Sequence, residues 1–174
     1  MAPNKFNYLY LAAAALLLLG AAQSPQAEAR KFLGVNPFCR TASYRRICNQ
    51  MVNGASSWRD ASANAMISTR ELAKRVRGLV PLLKPAMEHL EPITRDAIMA
   101  TCVDNFDGIV DDLEVSLQAL QANDLGTARS HLSGALRSDC KDAMKEFGAD
   151  FPLNKYSRHL TIKVDNCLAV LMQN

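Results

Sequence analysis

Between residues 93 and 121, Val103, Phe106, Val110, Leu113, Leu117 and Leu120 recur at alternating steps of three and four. That spacing draws one apolar stripe along a helix, and such a stripe is stable only when other helices cover it. The pattern predicts a helix from Ile93 to Gln121, with Pro92 in its first turn. Three further segments carry comparable stripes. Trp58 to Val80 places Ala61, Ala65, Ser68, Leu72, Val76 and Leu79 on one face, continuing to Leu83, and Pro81 and Pro85 end it. Ser56 or Ser57 serves as its N-cap. Thr127 to Phe147 is expected to bury Leu132, Leu136, Cys140, Ala143 and Phe147, and to stop at Gly148. Lys155 to Met172 lines up Tyr156, Leu160, Val164, Cys167 and Leu171. Strand signals are scarce, and alternating runs with hairpin turns between them are lacking. The expected fold is all-α, an up-down-up-down four-helix bundle over residues 56–174. A helical piece from Cys39 to Val52, ended by Asn53-Gly54, makes residues 30–55 an N-terminal helical hairpin that a disulfide could staple.

Residues 1–29 read as a signal peptide. Lys5 is basic, Tyr8 to Leu19 is an apolar run of twelve, and small residues offer cleavage after Ala22 or after Ala29. The run is short for a membrane span, and no second one follows, so no membrane attachment is expected after its removal. Export permits disulfides. The net charge of +3 hides an asymmetry: residues 30–95 hold 12 Lys and Arg against 4 Asp and Glu, whereas residues 96–174 hold 7 against 12. Opposed charge at two ends suits protein docking better than nucleic-acid binding, and no basic-aromatic interleaving supports the latter.

Five cysteines, Cys39, Cys48, Cys102, Cys140 and Cys167, allow two bridges and one free thiol, and counting leaves the pairing open. Cys39 and Cys48 are near enough in sequence to staple a short hairpin. Cys102 and Cys140 sit at compatible heights if their helices are antiparallel. Cys167 lies on an apolar stripe and reads as a buried, inert thiol. No cysteine or histidine spacing suits zinc, and no cofactor is implied. The three histidines, His89, His131 and His159, have no neighbouring nucleophile motif, so the chain is not expected to be an enzyme. Asp104, Asp107, Asp111 and Glu114 form an acidic row beside the long stripe. One convex helix does not make the cleft a glycosidase pair needs, and the run fails the calcium-loop pattern. A solvated face or a docking face for a partner remains.

Four motifs resemble the plant invertase and pectin methylesterase inhibitor family, from about Phe38 to the C-terminus. They are the hairpin Cys39-Arg-Thr-Ala-Ser-Tyr44-Arg-Arg-Ile-Cys48, the segment Cys102-Val-Asp104-Asn-Phe106-Asp-Gly-Ile-Val110-Asp111-Asp-Leu113, the segment Leu132-Ser-Gly-Ala-Leu136 with Cys140 and Phe147, and Asp165-Asn166-Cys167-Leu168-Ala169. Thr41 falls one position earlier than the family's usual Thr, and the last Cys follows the Asn where many members have it before. The resemblance implies bridges Cys39–Cys48 and Cys102–Cys140, secretion to the apoplast, and inhibition by docking on a cell-wall pectin methylesterase or an invertase. The invertase-inhibiting branch carries Pro-Lys-Phe near the start of its last helix; here the region reads Phe151-Pro152-Leu153-Asn154-Lys155-Tyr156. A free-standing, monomeric inhibitor is the expectation, with the acidic row Asp104, Asp107, Asp111 and Glu114 as its contact face; the alternative of another class is a non-inhibitory secreted pectin-binding or signalling module, whose basic N-terminal half would hold de-esterified pectin electrostatically.

Overall fold

Ser57 opens the first long helix: its Oγ accepts a hydrogen bond from the Asp60 amide at 3.1 Å and donates to Asp60 Oδ2 at 2.6 Å. This satisfies an otherwise unpaired helix-end donor and puts an acid in the first turn. The computed structural model describes residues 34–173; the signal-peptide reading of residues 1–29 lies outside the described residues. Among these, six α-helices occur and no strand: α1 (Arg45–Val52), α2 (Trp58–Gly78), α3 (Pro92–Gln121), α4 (Leu125–Gly134), α5 (Asp139–Glu146) and α6 (Asn154–Leu171). A 3₁₀ turn, Pro37–Cys39, precedes α1, and a 3₁₀ segment, Val80–Met87, joins α2 to α3.

Side-chain ties fix the helix directions. Arg59, Arg70 and Arg77 of α2 meet Leu120, Glu114 and Asp107 of α3 in reverse order. Ser116 and Asp112 of α3 meet Ala128 and His131 of α4, and Asn105 meets Cys140 of α5. Trp58 of α2 donates to the Val170 carbonyl of α6, whereas Ser68 receives Lys163. The helices α2, α3, α4 with α5, and α6 therefore stand antiparallel in sequence around one core, in up-down-up-down order. Phe106, Met66, Leu83, Met87, Ile98, Leu113, Leu120, Leu132 and Met144 are fully buried there.

The hairpin adds a second, smaller cluster. Cys39, Ala42, Cys48 and Val52 are buried against Ala61 of α2 and Val170 of α6. Asn53 (φ 47°) and Gly54 (φ 70°) turn the chain out of α1 in the left-handed region. Asn166 donates to the Tyr44 carbonyl at 3.2 Å, and Gln173, just past the end of α6, reaches the Phe38 carbonyl, so α6 and the residues that follow it hold both arms.

The structure corrects several expectations. The helix expected over Thr127–Phe147 is broken: α4 ends at Gly134 and α5 begins at Asp139. The break releases Leu136 and Phe147 to solvent, 39% and 46% exposed, although both fall on the expected core stripe. Tyr156, placed on the last stripe, is 49% exposed because it lies in the first turn of α6. On α3 the buried face is rotated from the expected seam: Val103 and Val110 are only half-buried, while Cys102, Asn105, Ile109 and Ser116 face inward. Of the helical piece expected over Cys39–Val52, only Arg45–Val52 is α-helical.

Candidate functional site

With about 100° of rotation per residue, Asp104 and Asp111 of α3 point directly away from its buried line of Cys102, Ile109 and Leu113. Asp107 and Glu114 lean toward α2, and Asp112 leans toward α4. The acidic row is thereby divided by its neighbours. Arg77 Nε and Nη2 donate to the two oxygens of Asp107 at 2.9 and 3.1 Å. This bidentate hydrogen bonding, followed by the charge of Asp107, raises the pKa of Arg77 above its ordinary value. Glu114 lies 3.8 Å from Arg70, which also faces Glu71 at 3.5 Å. Asp104 and Asp111 are exposed and have no ion pair among the described residues. Two of the four carboxylates are thus spent within the bundle, and two face outward from the middle of its longest helix.

Asp112, outside the expected row, is the most engaged acid of α3. Its side chain is only 13% exposed; Oδ1 lies 2.8 Å from His131 Nδ1, and Oδ2 receives the Arg137 guanidinium. A His–Asp pair with its second oxygen occupied by an arginine is a structural tie between helices. His159 is exposed, its pKa lowered by partial burial and then by Lys163. The described residues contain no group of three or more His, Cys, Asp or Glu that could hold a metal ion.

Disulfides join Cys39 to Cys48 (Cα–Cα 5.8 Å) and Cys102 to Cys140 (Cα–Cα 4.3 Å). The second is flanked by buried Asn105, whose Oδ1 accepts from the Cys140 amide at 3.2 Å. Cys167 is free and buried, its Sγ 3.2 Å from Thr69 Oγ1, and burial pushes the thiol up to about 12. Lys163, a residue the sequence reading did not single out, is buried one turn away. Its ammonium donates to the Ser68 carbonyl and hydroxyl at 2.8 and 2.7 Å, and burial lowers its pKa.

Residues 34–170 match the family Plant invertase/pectin methylesterase inhibitor. The chain belongs to this family. Its members are inhibitors and not enzymes, so the outward face of the bundle, and no reacting group, is where function is to be sought. The chain is also similar to a solved structure, the crystal structure of mutant form A of a pectin methylesterase inhibitor from Arabidopsis. The TM-score is 0.60 at 16% identity, covering 79% of this chain and 94% of that one. At that identity the likeness shows the helical fold alone. No curated protein matches the chain. Among the described residues no helix is long and apolar enough to cross a membrane.

Proposed function

We propose that the chain is a secreted inhibitor of pectin methylesterase that acts in the plant cell wall by covering the enzyme's active cleft with the outer face of α3. Family membership supports inhibition, and the lack of a Pro-Lys-Phe triplet in Phe151–Tyr156 favours the esterase over an invertase as target. The observation that carries the contact face is the pairing pattern of the acidic row: Asp104 and Asp111 keep their carboxylates free for a partner, while Asp107 and Glu114 do not. A standard interface buries on the order of 1,600 Å² in total, within reach of two or three helices of this length.

Purified protein is expected to reduce methylester release from pectin by plant pectin methylesterases. The double variant Asp104→Ala/Asp111→Ala should weaken inhibition by roughly tenfold or more. Asp107→Ala should act mainly through stability. Absence of inhibition across a panel of such esterases, with loss of sucrose hydrolysis by an invertase instead, would replace this target with the other one. Unchanged inhibition by the double variant would move the contact face elsewhere on the bundle.

A further inference from the structure

Four of the bundle's eight arginines are committed, Arg59 to Leu120 and Asn123, Arg70 to Glu71 and Glu114, Arg77 to Asp107 and Arg137 to Asp112, and the other four, Arg75, Arg95, Arg129 and Arg158, are scattered over four helices, three of which also carry acids. The hairpin differs. Residues 35–55 contain Arg40, Arg45 and Arg46 and no Asp or Glu. All three arginines are exposed, and none has an ion-pair partner among the described residues. Arg45 and Arg46 share an open depression of about 520 Å³ with Tyr44, Ile47 and Gln50. Arg40 stands on the other arm, next to the Cys39–Cys48 bridge.

We propose that this hairpin surface binds an anionic polyuronide chain, de-esterified pectin, through Arg45, Arg46 and the ring of Tyr44. The inference rests on the inhibitor reading for the choice of polymer, and it uses a different part of the molecule. A guanidinium is a planar fork that meets a carboxylate in two parallel hydrogen bonds, which suits a sugar acid. Tyr44, 43% exposed, offers a flat amphipathic face to a pyranose ring, and the Gln50 amide can both donate to and accept from hydroxyls. A protein partner fits less well. Beyond Tyr44 and half-buried Ile47 the depression has no apolar side chain to form the desolvated centre that protein interfaces need.

The surface is also held in place before any ligand arrives. The disulfide closes it, the Asn36 amide donates to Asn49 Oδ1 at 3.0 Å, Thr41 Oγ1 donates to the Ala169 carbonyl at 3.3 Å, and Asn166 caps the Tyr44 carbonyl. Little ordering is then required on binding. Because pectin methylesterase converts methyl esters to carboxylates, such a surface concentrates the inhibitor where the enzyme has already worked.

The test is retention of the purified, oxidised protein on immobilised polygalacturonate, with highly methylesterified pectin and heparin as companion matrices. Inhibition of an esterase is read on the same samples with a short soluble substrate. The expected result is salt-sensitive retention on polygalacturonate above both other matrices. Arg45→Gln/Arg46→Gln should weaken it by roughly tenfold, and Tyr44→Ala should weaken it further. The control Arg129→Gln/Arg158→Gln has the same net charge and alters exposed arginines elsewhere, so it should bind like the parent. No retention, equal retention on esterified pectin or on heparin, or equal loss in both double variants would overturn the proposal. Retention without esterase inhibition would sink the inhibitor reading alone, and inhibition without retention would sink the polyuronide surface alone.

Discussion

Asp112 of α3 takes the guanidinium of Arg137, the residue standing in the break between α4 and α5, while its other oxygen meets His131 at 2.8 Å. One carboxylate thus anchors both the end of α4 and the start of the break to the central helix. Removing it deletes the one well-buried partner of two charge-assisted bonds and leaves Arg137, an exposed residue, to be solvated by water, at a cost of about 1–3 kcal/mol. Asp112→Ala should lower the urea midpoint accordingly, with an unchanged slope. Asp111→Ala, one residue away but exposed and unpaired, should shift stability by less than about 0.5 kcal/mol. Equal effects in the two variants would show that the tie contributes nothing.

Gly108 faces the same arginine. A Cβ built there would lie 2.5 Å from Arg137 Nη1. Replacing an interior helical glycine by alanine ordinarily stabilises by about 1 kcal/mol. Here the gain is opposed, because Arg137 must swing away from Asp112. Gly108→Ala is therefore expected to be near neutral in the parent chain and to recover the full gain in an Arg137→Ala background. A double-mutant cycle from urea unfolding measures the difference, and strict additivity would refute it.

This cluster also marks where the sequence stops being informative. The long stripes, Ser57, Pro92, Asn53-Gly54 and Gly148 act locally, so the helical fold was legible from spacing and end signals alone. The break at Ala135–Ser138 was not: Leu132, Leu136 and Cys140 continue a helical step of four across it, and the interruption answers to partners on another helix, Asp112 for Arg137 and Cys102 for Cys140. Gly134 and the Ser138 hydroxyl, which donates to Asp142 at 2.6 Å, were the local hints. The acidic row was visible as a row. Its division into paired and free carboxylates depends on which α2 arginines stand opposite, a register between helices that spacing within α3 does not contain. Lys163 was hidden for the same reason, being polar by type and buried by position.

Cys167 gives a pH signature. Its thiol, ordinarily at 9.0, is pushed up to about 12 by burial, with Thr69 and Lys163 offsetting only part of that effect. The folded protein keeps a proton that the unfolded chain releases, so stability is fully present below pH 9 and falls as pH rises from there toward 12. Lys163 works in the opposite sense, because its lowered value makes folding release a proton as pH rises toward its ordinary 10.5. Comparison with Cys167→Ala removes the thiol together with its coupling to Lys163. Between pH 8.5 and 10 the parent should lose about 1 kcal/mol more than the variant. The native parent should also resist alkylation at pH 8 until denaturant opens it, and ready alkylation of the folded protein would contradict the burial.

The two disulfides should report different things when removed. Cys102–Cys140 closes 38 residues and Cys39–Cys48 closes 9, which in the chain-entropy description corresponds to about 4 and about 2.5 kcal/mol. The larger bridge joins α3 to α5 inside the main core, so Cys102→Ala/Cys140→Ala should lower the global urea midpoint. The smaller one closes a hairpin whose own buried cluster is Cys39, Ala42, Cys48 and Val52 with Ala61 and Val170. So little buried surface supports local opening well below the global unfolding energy. In Cys39→Ala/Cys48→Ala, trypsin should therefore cut first at the exposed Arg45 and Arg46, leaving a protected fragment that contains α2 to α6 and still unfolds cooperatively. Cleavage throughout the bundle at the same rate would instead mean that the hairpin and the bundle open as one unit, with the bridge acting as a clamp on the whole molecule.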